Sequence, residues 1–233
     1  MFTGNWKDEL WLVAGGIFGG SLYFFTENTA LGITQASNVS FIICTAPLLT
    51  TILSLLFYKS EKASKGLIYG SLLALMGVGL IVFNGSFVLK ISPIGDLLTL
   101  LAALSWAFYS LIIKKMAGRY PTVFITRKIF FYGVLTILPA FLLHPLQPDA
   151  AVLLQPGVLF NLLFLAVLAS LICYVLWNVV LKQLGTVRAS NYIYLNPLVT
   201  MIASSLILDE KITLVALGGA ACIVCGVYWA EKK

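Results

Sequence analysis

One carboxylate of this chain lies well inside an apolar segment, and its chemistry is the most distinctive that the sequence offers. Glu27 follows a long apolar run, whereas the other acidic residues lie near segment ends, in loops or in the C-terminal tail. Because burial penalises charge, a carboxylate in such a place needs a proton or a cation beside it. Glu27 is therefore a candidate proton carrier or a candidate partner for a cationic substrate. The alternative is a glutamate near the membrane edge that contacts lipid headgroups.

Polar and aromatic side chains are concentrated on the same segment and on a few others. Amide groups can bind the carboxylate, amide or hydroxyl groups of a ligand, and aromatic rings can stack on it. The alternative for the same residues is hydrogen bonding between helices or anchoring at the membrane interface. Together with Glu27, the predicted substrate-cavity residues are Tyr23, Asn28, Asn38, Trp106, Tyr109, Tyr174, Trp177, Asn178, Asn191, Tyr194 and Asn196.

The composition indicates a membrane protein. Of the 233 residues, 60% are hydrophobic and 10% are charged, whereas a soluble domain carries about 25% charged residues. Folding alone cannot hide so much apolar surface from water, so the lipid bilayer is the expected surroundings of the chain. The net charge of +6 does not indicate a nucleic-acid partner, because membrane topology explains where the positive charges lie.

Eight apolar segments are each long enough to cross the bilayer core, which takes about 20 helical residues. Strands are excluded there, because every backbone polar group must be satisfied within the segment and no barrel-like alternation is present. The predicted fold class is therefore all-α, a polytopic membrane helix bundle of eight transmembrane helices. The predicted helices cover about residues 10–29, 36–57, 66–84, 94–113, 123–143, 158–180, 187–207 and 212–230.

Positive charges predict the topology of these helices. If the helices alternate in direction, 13 of the 15 lysines and arginines fall on one side of the membrane, and only Lys90 and Lys211 fall on the other. Cytoplasmic loops carry such an excess. Both termini are therefore predicted to be cytoplasmic, in a multi-pass protein of the inner membrane.

The sequence repeats itself after about 150 residues. Since an odd number of predicted helices separates the copies, the second is inverted relative to the first, which is a common plan of secondary transporters. The predicted repeats are residues 1–88, with three helices, and residues 89–233, with five, of a ten-helix inverted repeat. Because the first copy lacks two helices, we expect a truncated chain or a misassigned start, with a genuine 3+5 protein as the alternative. The strongest matches pair Pro47 with Pro197, Glu61-Lys62 with Glu210-Lys211, Gly70 with Gly219 and Gly77 with Gly226.

Prolines and glycines are predicted to shape the helices. Pro47 and Pro197 lie inside predicted helices, where each frees a carbonyl one turn earlier and can kink the helix. The kinks are either hinges of gates at opposite ends of a cavity or static features of packing. Small residues at helical spacing predict close contacts between helices, at Gly15, Gly16, Gly19, Gly20, Gly70, Gly77, Gly219 and Gly226.

Motifs for catalysis are absent from the sequence. It has no HExxH, P-loop, dinucleotide fingerprint or GxSxG, and Cys222 and Cys225 stand without a second CxxC or a His-rich segment. The sequence therefore predicts no enzyme, no cofactor and no metal site. An integral-membrane enzyme and a scaffold that does not transport are the alternatives to a transporter, and a scaffold would not need inverted symmetry.

The order and spacing of several motifs resemble those of EamA-type proteins in the drug/metabolite transporter superfamily. The resemblance implies ten helices in two inverted halves, cytoplasmic termini, and alternating access around a central cavity for amino acids, other metabolites or drugs. The chain departs from the family by starting at what resembles the third helix, so one wall of that cavity would be missing. The motifs, spread over the whole chain, are Ala36-Ser37-Asn38, Ala46-Pro47-Leu48, Gly95-Asp96, Ser105-Trp106-Ala107, Tyr174-Val175-Leu176-Trp177, Ala189-Ser190 and Asn196-Pro197-Leu198.

The sequence therefore predicts a secondary transporter that moves small metabolites, amino acids or drugs by alternating access, in the direction of export. Its expected partners are the small-molecule substrate and the lipid bilayer. No nucleic acid is expected, and a homodimer is allowed but required by no segment. The alternative is a truncated membrane protein that does not transport.

Overall fold

The computed structural model describes residues 4–58, 64–83, 92–143, 150–208 and 212–232. Every regular element in these ranges is helical, which confirms the predicted all-α class for this part of the chain. Two π-helical segments (Ile17–Ser21 and Phe164–Ile172) and one 3-10 segment (Tyr192–Leu195) connect some of the α-helices directly. The α-helices are α1 (Trp6–Gly16), α2 (Leu22–Ile33), α3 (Ala36–Ile43), α4 (Ala46–Phe57), α5 (Lys65–Phe83), α6 (Pro93–Ala117), α7 (Thr122–Leu143), α8 (Ala150–Leu153), α9 (Pro156–Leu163), α10 (Cys173–Leu184), α11 (Thr186–Asn191), α12 (Asn196–Leu208) and α13 (Leu214–Glu231).

The predicted helices all correspond to helical stretches whose ends lie within four residues of the prediction. Two of the predicted spans, about residues 10–29 and 187–207, lie in helical stretches 6–33 and 186–208 that contain polar residues in mid-run, and their crossing of the membrane stays a prediction. Lys90, Glu61-Lys62 and Glu210-Lys211 lie outside the described residues. Within the described residues, six stretches are long and apolar enough to cross a membrane, namely Ala36–Phe57, Lys65–Phe83, Pro93–Ala117, Thr122–Ala140, Pro156–Leu184 and Leu214–Glu231.

Helix interruptions recur at the offset of the sequence repeat. The π-helical segment Ile17–Ser21 corresponds to residues 167–171, which lie within the π-helical segment Phe164–Ile172. The turn between α3 and α4, at residues 44–45, corresponds to residues 194–195 at the end of the 3-10 segment. The two copies therefore share their irregular backbone as well as some of their residues.

A proline lies shortly after the break in each of the two interrupted helices. Pro47 and Pro197 occupy the second positions of α4 and α12, where a residue without an N–H group is tolerated. Each proline lacks an N–H group to donate to the carbonyl one turn earlier, so the helical hydrogen-bond ladder is interrupted there. In the first break the Ile42 carbonyl oxygen accepts hydrogen bonds from both the Thr45 backbone nitrogen, at 2.9 Å, and the Thr45 hydroxyl, at 2.7 Å.

Helices α5 and α13 pack against each other through glycines. A Cβ atom at Gly70 would lie 2.5 Å from the Gly226 carbonyl oxygen, and one at Gly77 would lie 2.5 Å from the Gly219 carbonyl oxygen. Each glycine thus meets the repeat counterpart of the other, as in an antiparallel pair related by a two-fold axis. Such close approach of backbones gives the van der Waals contact that holds helices together in lipid.

A second close contact joins the first helical stretch to α7. A Cβ atom at Gly16 would lie 2.8 Å from the Gly133 backbone nitrogen, and one at Gly20 would lie 3.1 Å from the Gly133 Cα. Gly15 is less crowded, since a Cβ atom there would lie 3.3 Å from the Ile129 side chain. Gly16 and Gly20 therefore allow α1 and α7 to touch backbone to backbone.

Ion pairs lie beside the contact with α7, at the start of α1. Asp8 is 5% exposed and accepts a hydrogen bond from Arg119 Nη1 at 2.6 Å. Glu9 accepts hydrogen bonds from Lys128, which is buried, and from the Tyr132 hydroxyl. Pairing offsets the cost of removing these charges from water, so both acids at this end of the bundle are neutralised within the protein.

The buried side chains form two clusters. The larger one joins α1, α6, α7 and α10 around Tyr109 and Ile129, and the smaller one joins α5, α13 and the 3-10 segment around Val78 and Ile223. The broken helices touch both clusters, because α3 contacts α6 and α5, and α11 contacts α10 and α13. The interruptions therefore belong to the smaller cluster, through Cys44 and Tyr194, and their helices also contact the larger one.

The α5–α13 contact predicts different effects of alanine at two neighbouring glycines. A Cβ atom at Gly219 would lie 2.7 Å from the Gly77 carbonyl oxygen, whereas nothing lies within 4 Å of one at Gly218. Gly219→Ala should destabilise the protein by about 1–3 kcal/mol through overpacking. Gly218→Ala should leave stability unchanged or slightly higher, because alanine is the better helix former. Thermal unfolding of both variants in one detergent measures the difference, and equal melting temperatures would contradict the contact.

Candidate functional site

A cavity of about 460 Å³ lies between five of the helices. Its walls come from α2, α3, the end of α5, the start of α12, and α13 together with Ile212 just before it. A space of this size is within the range of small-molecule sites. The polar side chains on its wall are Glu27, Ser37, Ser40, Asn196 and Thr200, and the larger apolar ones include Leu31, Ile43, Ile81, Val82 and Met201.

Glu27 is the one charged side chain on the described wall of this cavity. It lies one turn after Tyr23 on α2, so both side chains project from the same face of the helix. The Tyr23 hydroxyl donates a hydrogen bond to Glu27 Oε1 at 3.0 Å. Glu27 is half-buried, and its second oxygen has no hydrogen-bond partner within the part of the chain that the structure describes.

Helix geometry brings the other polar groups of the wall together. Ser37 and Ser40 are three residues apart on α3, and Asn196 and Thr200 are four residues apart on α12, so each pair shares a helix face. Hydroxyl and amide groups both donate and accept hydrogen bonds. Beside Glu27 they make a cavity that is negatively charged at one point and able to hydrogen-bond elsewhere.

An aromatic cluster adjoins Glu27 through Tyr23. The neighbouring ring centroids lie 5.2–5.9 Å from that of Trp106, which are distances typical of favourable aromatic pairs. The structure thus brings together five of the predicted cavity residues, but behind the wall of the cavity and not on it. The Trp106 ring is the centre of the cluster, at 5.2 Å from Tyr23, 5.2 Å from Tyr109, 5.7 Å from Tyr174 and 5.9 Å from Trp177.

Hydrogen bonds fix the deeper side of this cluster. The Tyr109 hydroxyl donates to Asn178 Oδ1 at 2.7 Å, and Asn178 Nδ2 donates to Thr126 Oγ1 at 2.9 Å. The Tyr174 hydroxyl donates to the Gly19 carbonyl oxygen at 2.8 Å. Gly19 also has no room for a side chain, because the Tyr109 ring lies against it. Tyr109, Tyr174 and Asn178 therefore link helices, which is the structural role that the sequence leaves open for them.

The two tryptophans carry the unsatisfied polar atoms of the cluster. Nε1 of Trp106 and Nε1 of Trp177 are both buried, and neither has an acceptor within the described ranges. A buried donor without an acceptor costs about 1–3 kcal/mol. These two N–H groups are therefore buried donors behind the cavity wall, for which the described residues provide no acceptor.

Four of the predicted cavity residues lie elsewhere. Asn38, Asn191 and Tyr194 are 2% exposed or less and lie between helices, away from the cavity wall. Asn191 Oδ1 accepts a hydrogen bond from Ser71 Oγ at 3.4 Å, which links α11 to α5. Asn28 is exposed on the surface of α2.

The cavity wall also includes residues that the sequence does not single out. Ser37, Ser40 and Thr200 line it but are not among the predicted cavity residues. The repeat indicates two of them, since at the offset of 150 residues Ser40 matches Ser190 and Thr200 matches Thr50. Pro197, a predicted hinge, lies on the wall as well.

Metal-binding side chains are not grouped in the part of the chain that the structure describes. No three His, Cys, Asp or Glu residues come together there. Cys222 and Cys225 are free thiols. The groups that can meet a ligand in the cavity are those of Glu27, the hydroxyls and the Asn196 amide.

Comparisons with known proteins agree over most of the chain. Residues 1–83 and 93–230 match the EamA-like transporter family. The chain is 25% identical over 231 residues to an uncharacterized transporter of Archaeoglobus fulgidus, covering 98% of this chain and 80% of that protein. It is 29% identical over 182 residues to a probable amino-acid metabolite efflux pump of Salmonella typhimurium, covering 74% of this chain and 60% of that protein.

A solved crystal structure shows a similar fold. It superimposes with a TM-score of 0.78 over 97% of this chain and 76% of that one, at 20% sequence identity. At that identity the likeness concerns the arrangement of the helices alone.

The hydrogen bonds behind the cavity predict a loss of stability when one hydroxyl is removed. Tyr109→Phe leaves Asn178 Oδ1 buried without its donor, which should cost about 1 kcal/mol. Tyr228→Phe is the control, because the Tyr228 side chain is 69% exposed and its loss of a hydroxyl should not change stability measurably. Thermal unfolding in the same detergent compares the two variants. A melting temperature of Tyr109→Phe as high as that of Tyr228→Phe would disprove the role of this bond.

Proposed function

Because the chain belongs to the EamA-like transporter family, we propose that it is a secondary transporter that moves small metabolites by alternating access. The family match confirms the predictions of a transporter family and of a protein that is not an enzyme. With six helices able to cross a bilayer, the chain is a multi-pass membrane protein. The observation that carries the proposal is the cavity beside Glu27, whose walls come from helices of both predicted repeats.

The proposed inverted repeats are residues 1–88 and 89–233. Their shared backbone features support them, since each copy has a π-helical segment, then a break before a proline, then a pair of glycines on the next helix. The antiparallel contact of α5 with α13 fits the inversion, because counterpart helices of inverted copies run in opposite directions.

Alternating access needs groups of helices that move as units and deformable elements between them. The two buried clusters can supply the units, and the broken helices α3–α4 and α11–α12 contact both of them. The turns before Pro47 and Pro197 are then the hinges, where the interrupted hydrogen-bond ladder lowers the resistance to bending. Rocking of one cluster against the other would open the cavity to the two sides of the membrane in turn.

The proposed topology has eight membrane crossings with both termini in the cytoplasm, in the inner (plasma) membrane. The excess of lysine and arginine on one side supports it. Glu27 lies about 30 Å along the helix that begins at Trp6, near the end farthest from the N-terminus. In this topology the cavity is close to the outer face of the membrane.

Amino acids and related metabolites are the proposed substrates, and export is the proposed direction. The name of the Salmonella typhimurium relative supports both choices. The cavity has room for a molecule of that size. Its hydroxyl and amide groups suit the polar ends of an amino acid. The mechanism works in a monomer and is compatible with a homodimer.

Filling the cavity should stop transport. Thr200 lines the cavity, whereas its neighbour Val199 is 61% exposed and does not line it. We expect Thr200→Trp to lower transport about tenfold or more, because the indole ring occupies the space that a substrate needs. Val199→Trp should keep transport within about twofold, since a substitution on a lipid-facing surface is usually tolerated. The measurement is counterflow of labelled amino acids, nucleosides and sugars into proteoliposomes that contain equal amounts of each variant.

The same assay separates the proposed pathway from the proposed function. Normal counterflow by Thr200→Trp would contradict the cavity as the pathway. The absence of counterflow for every labelled compound with the unsubstituted chain would contradict transport itself and favour a membrane protein that does not transport.

A further inference from the structure

We propose that the cavity selects ligands that carry an ammonium group, and that Glu27 is the counter-charge that selects them. The inference rests on the proposed transport function and narrows its substrate class. Three observations carry it: the charge on the cavity wall, the pairing of Asp8 and Glu9 with basic side chains, and the neutral groups on the rest of the wall.

Glu27 alone gives the described wall of the cavity its charge. No lysine, arginine or histidine, and no second aspartate or glutamate, is among the described lining residues. In a space bounded mainly by protein and lipid, the field of a carboxylate is screened less than in water. The cavity therefore attracts a cation or a zwitterion that can place its positive group near Glu27, and it repels an anion of the same size.

Asp8 and Glu9, at the opposite end of the same helical stretch, are neutralised by basic side chains, whereas Glu27 is not. Asp8 lies 2.6 Å from Arg119, and Glu9 forms an ion pair with Lys128. Glu27 receives one hydrogen bond, from Tyr23, and no basic side chain of the described residues forms an ion pair with it. An ionisable group inside a membrane protein usually pairs with another charge or lies on a pathway for a substrate or an ion. The positive partner that Glu27 lacks within the described residues is thus expected to arrive with the ligand.

The rest of the wall is neutral and fits the remainder of such a ligand. Ser37, Ser40 and Asn196 offer hydroxyl and amide groups, whereas Leu31 and Met201 offer apolar contact. These groups suit an amine that also carries a hydrogen-bonding end and a short apolar side chain. Free α-amino acids and their amides have this composition.

Binding of two matched probes tests the inference. L-leucinamide carries an ammonium group at neutral pH, and 4-methylpentanamide is the same molecule without its amino group. In calorimetric titrations of the unsubstituted chain in lipid nanodiscs, we expect leucinamide to bind about tenfold or more tightly than 4-methylpentanamide.

Three variants test whether Glu27 causes the preference for leucinamide over 4-methylpentanamide. Glu27→Gln should bring the two affinities within about twofold of each other, whereas Glu27→Asp, which keeps the charge, should preserve the preference. Asp96→Asn is the matched control and should also preserve it. Asp96 lies near the same end of the bundle, 3.5 Å from the Thr34 hydroxyl and 3.2 Å from the Ser92 backbone nitrogen, but it does not line the cavity.

Chemical labelling of the unsubstituted chain tests the inference even if Glu27→Gln does not fold. A hydrophobic carbodiimide adds to carboxyl groups in apolar surroundings, and peptide mass spectrometry shows whether Glu27 has reacted. Leucinamide should protect Glu27 from the reagent, and 4-methylpentanamide should not. Equal protection by the two probes, or none by either, would overturn the inference.

The titrations distinguish failure of the inference from failure of the proposed function. A preference for leucinamide that survives in Glu27→Gln, or equal binding of both probes by the unsubstituted chain, would overturn the inference and leave transport through the cavity intact. Binding of neither probe would overturn the inference too. Counterflow of labelled nucleosides and sugars then decides separately whether the chain transports at all.

Discussion

Within the bilayer no water is available to satisfy a carbonyl, an amide or a charge, so each such group in this chain needs a partner from the protein or from a ligand. At the start of α1 the partners are basic side chains, since Asp8 pairs with Arg119 and Glu9 pairs with Lys128. Buried amides are used to link helices. Glu27 faces the cavity, and there the described residues provide it with a hydrogen bond but no counter-charge.

The same solvent explains why glycines hold the bundle together. In lipid two helices gain little by hiding apolar side chains from their surroundings, so they associate where small residues let their backbones touch. The contact of Gly70 with Gly226 and of Gly77 with Gly219 joins α5 to α13 in this way. Helices that are locked by backbone contact resist bending. Movement is then left to α3–α4 and α11–α12, where the turns before the two prolines interrupt the hydrogen-bond ladder.

Helix positions could be predicted from the sequence, because bilayer thickness and the exclusion of water fix the length and the composition of a span. The faces of the helices could not, because helices that are apolar all round have no single polar side to indicate what they contact. Asn28 and Asn178 are repeat counterparts, yet Asn28 is exposed and Asn178 is buried against Tyr109. Glu27 and Asn196 reach the cavity as the sequence suggests, whereas the serines and the threonine of its wall are too ordinary in type to be recognised without the packing.

Water and substrate must reach the cavity between the two copies if the chain works as proposed, and a thiol placed there shows directly whether they do. The measurement uses Thr200→Cys in a chain whose four native cysteines are replaced by alanine, with Val199→Cys as the control that faces lipid. A membrane-impermeant maleimide reacts with thiolate, which forms where water has access. We predict rapid labelling of Thr200→Cys from outside the cell and little labelling of Val199→Cys. Equal labelling of the two positions, or labelling of neither, would contradict a water-filled pathway through this cavity.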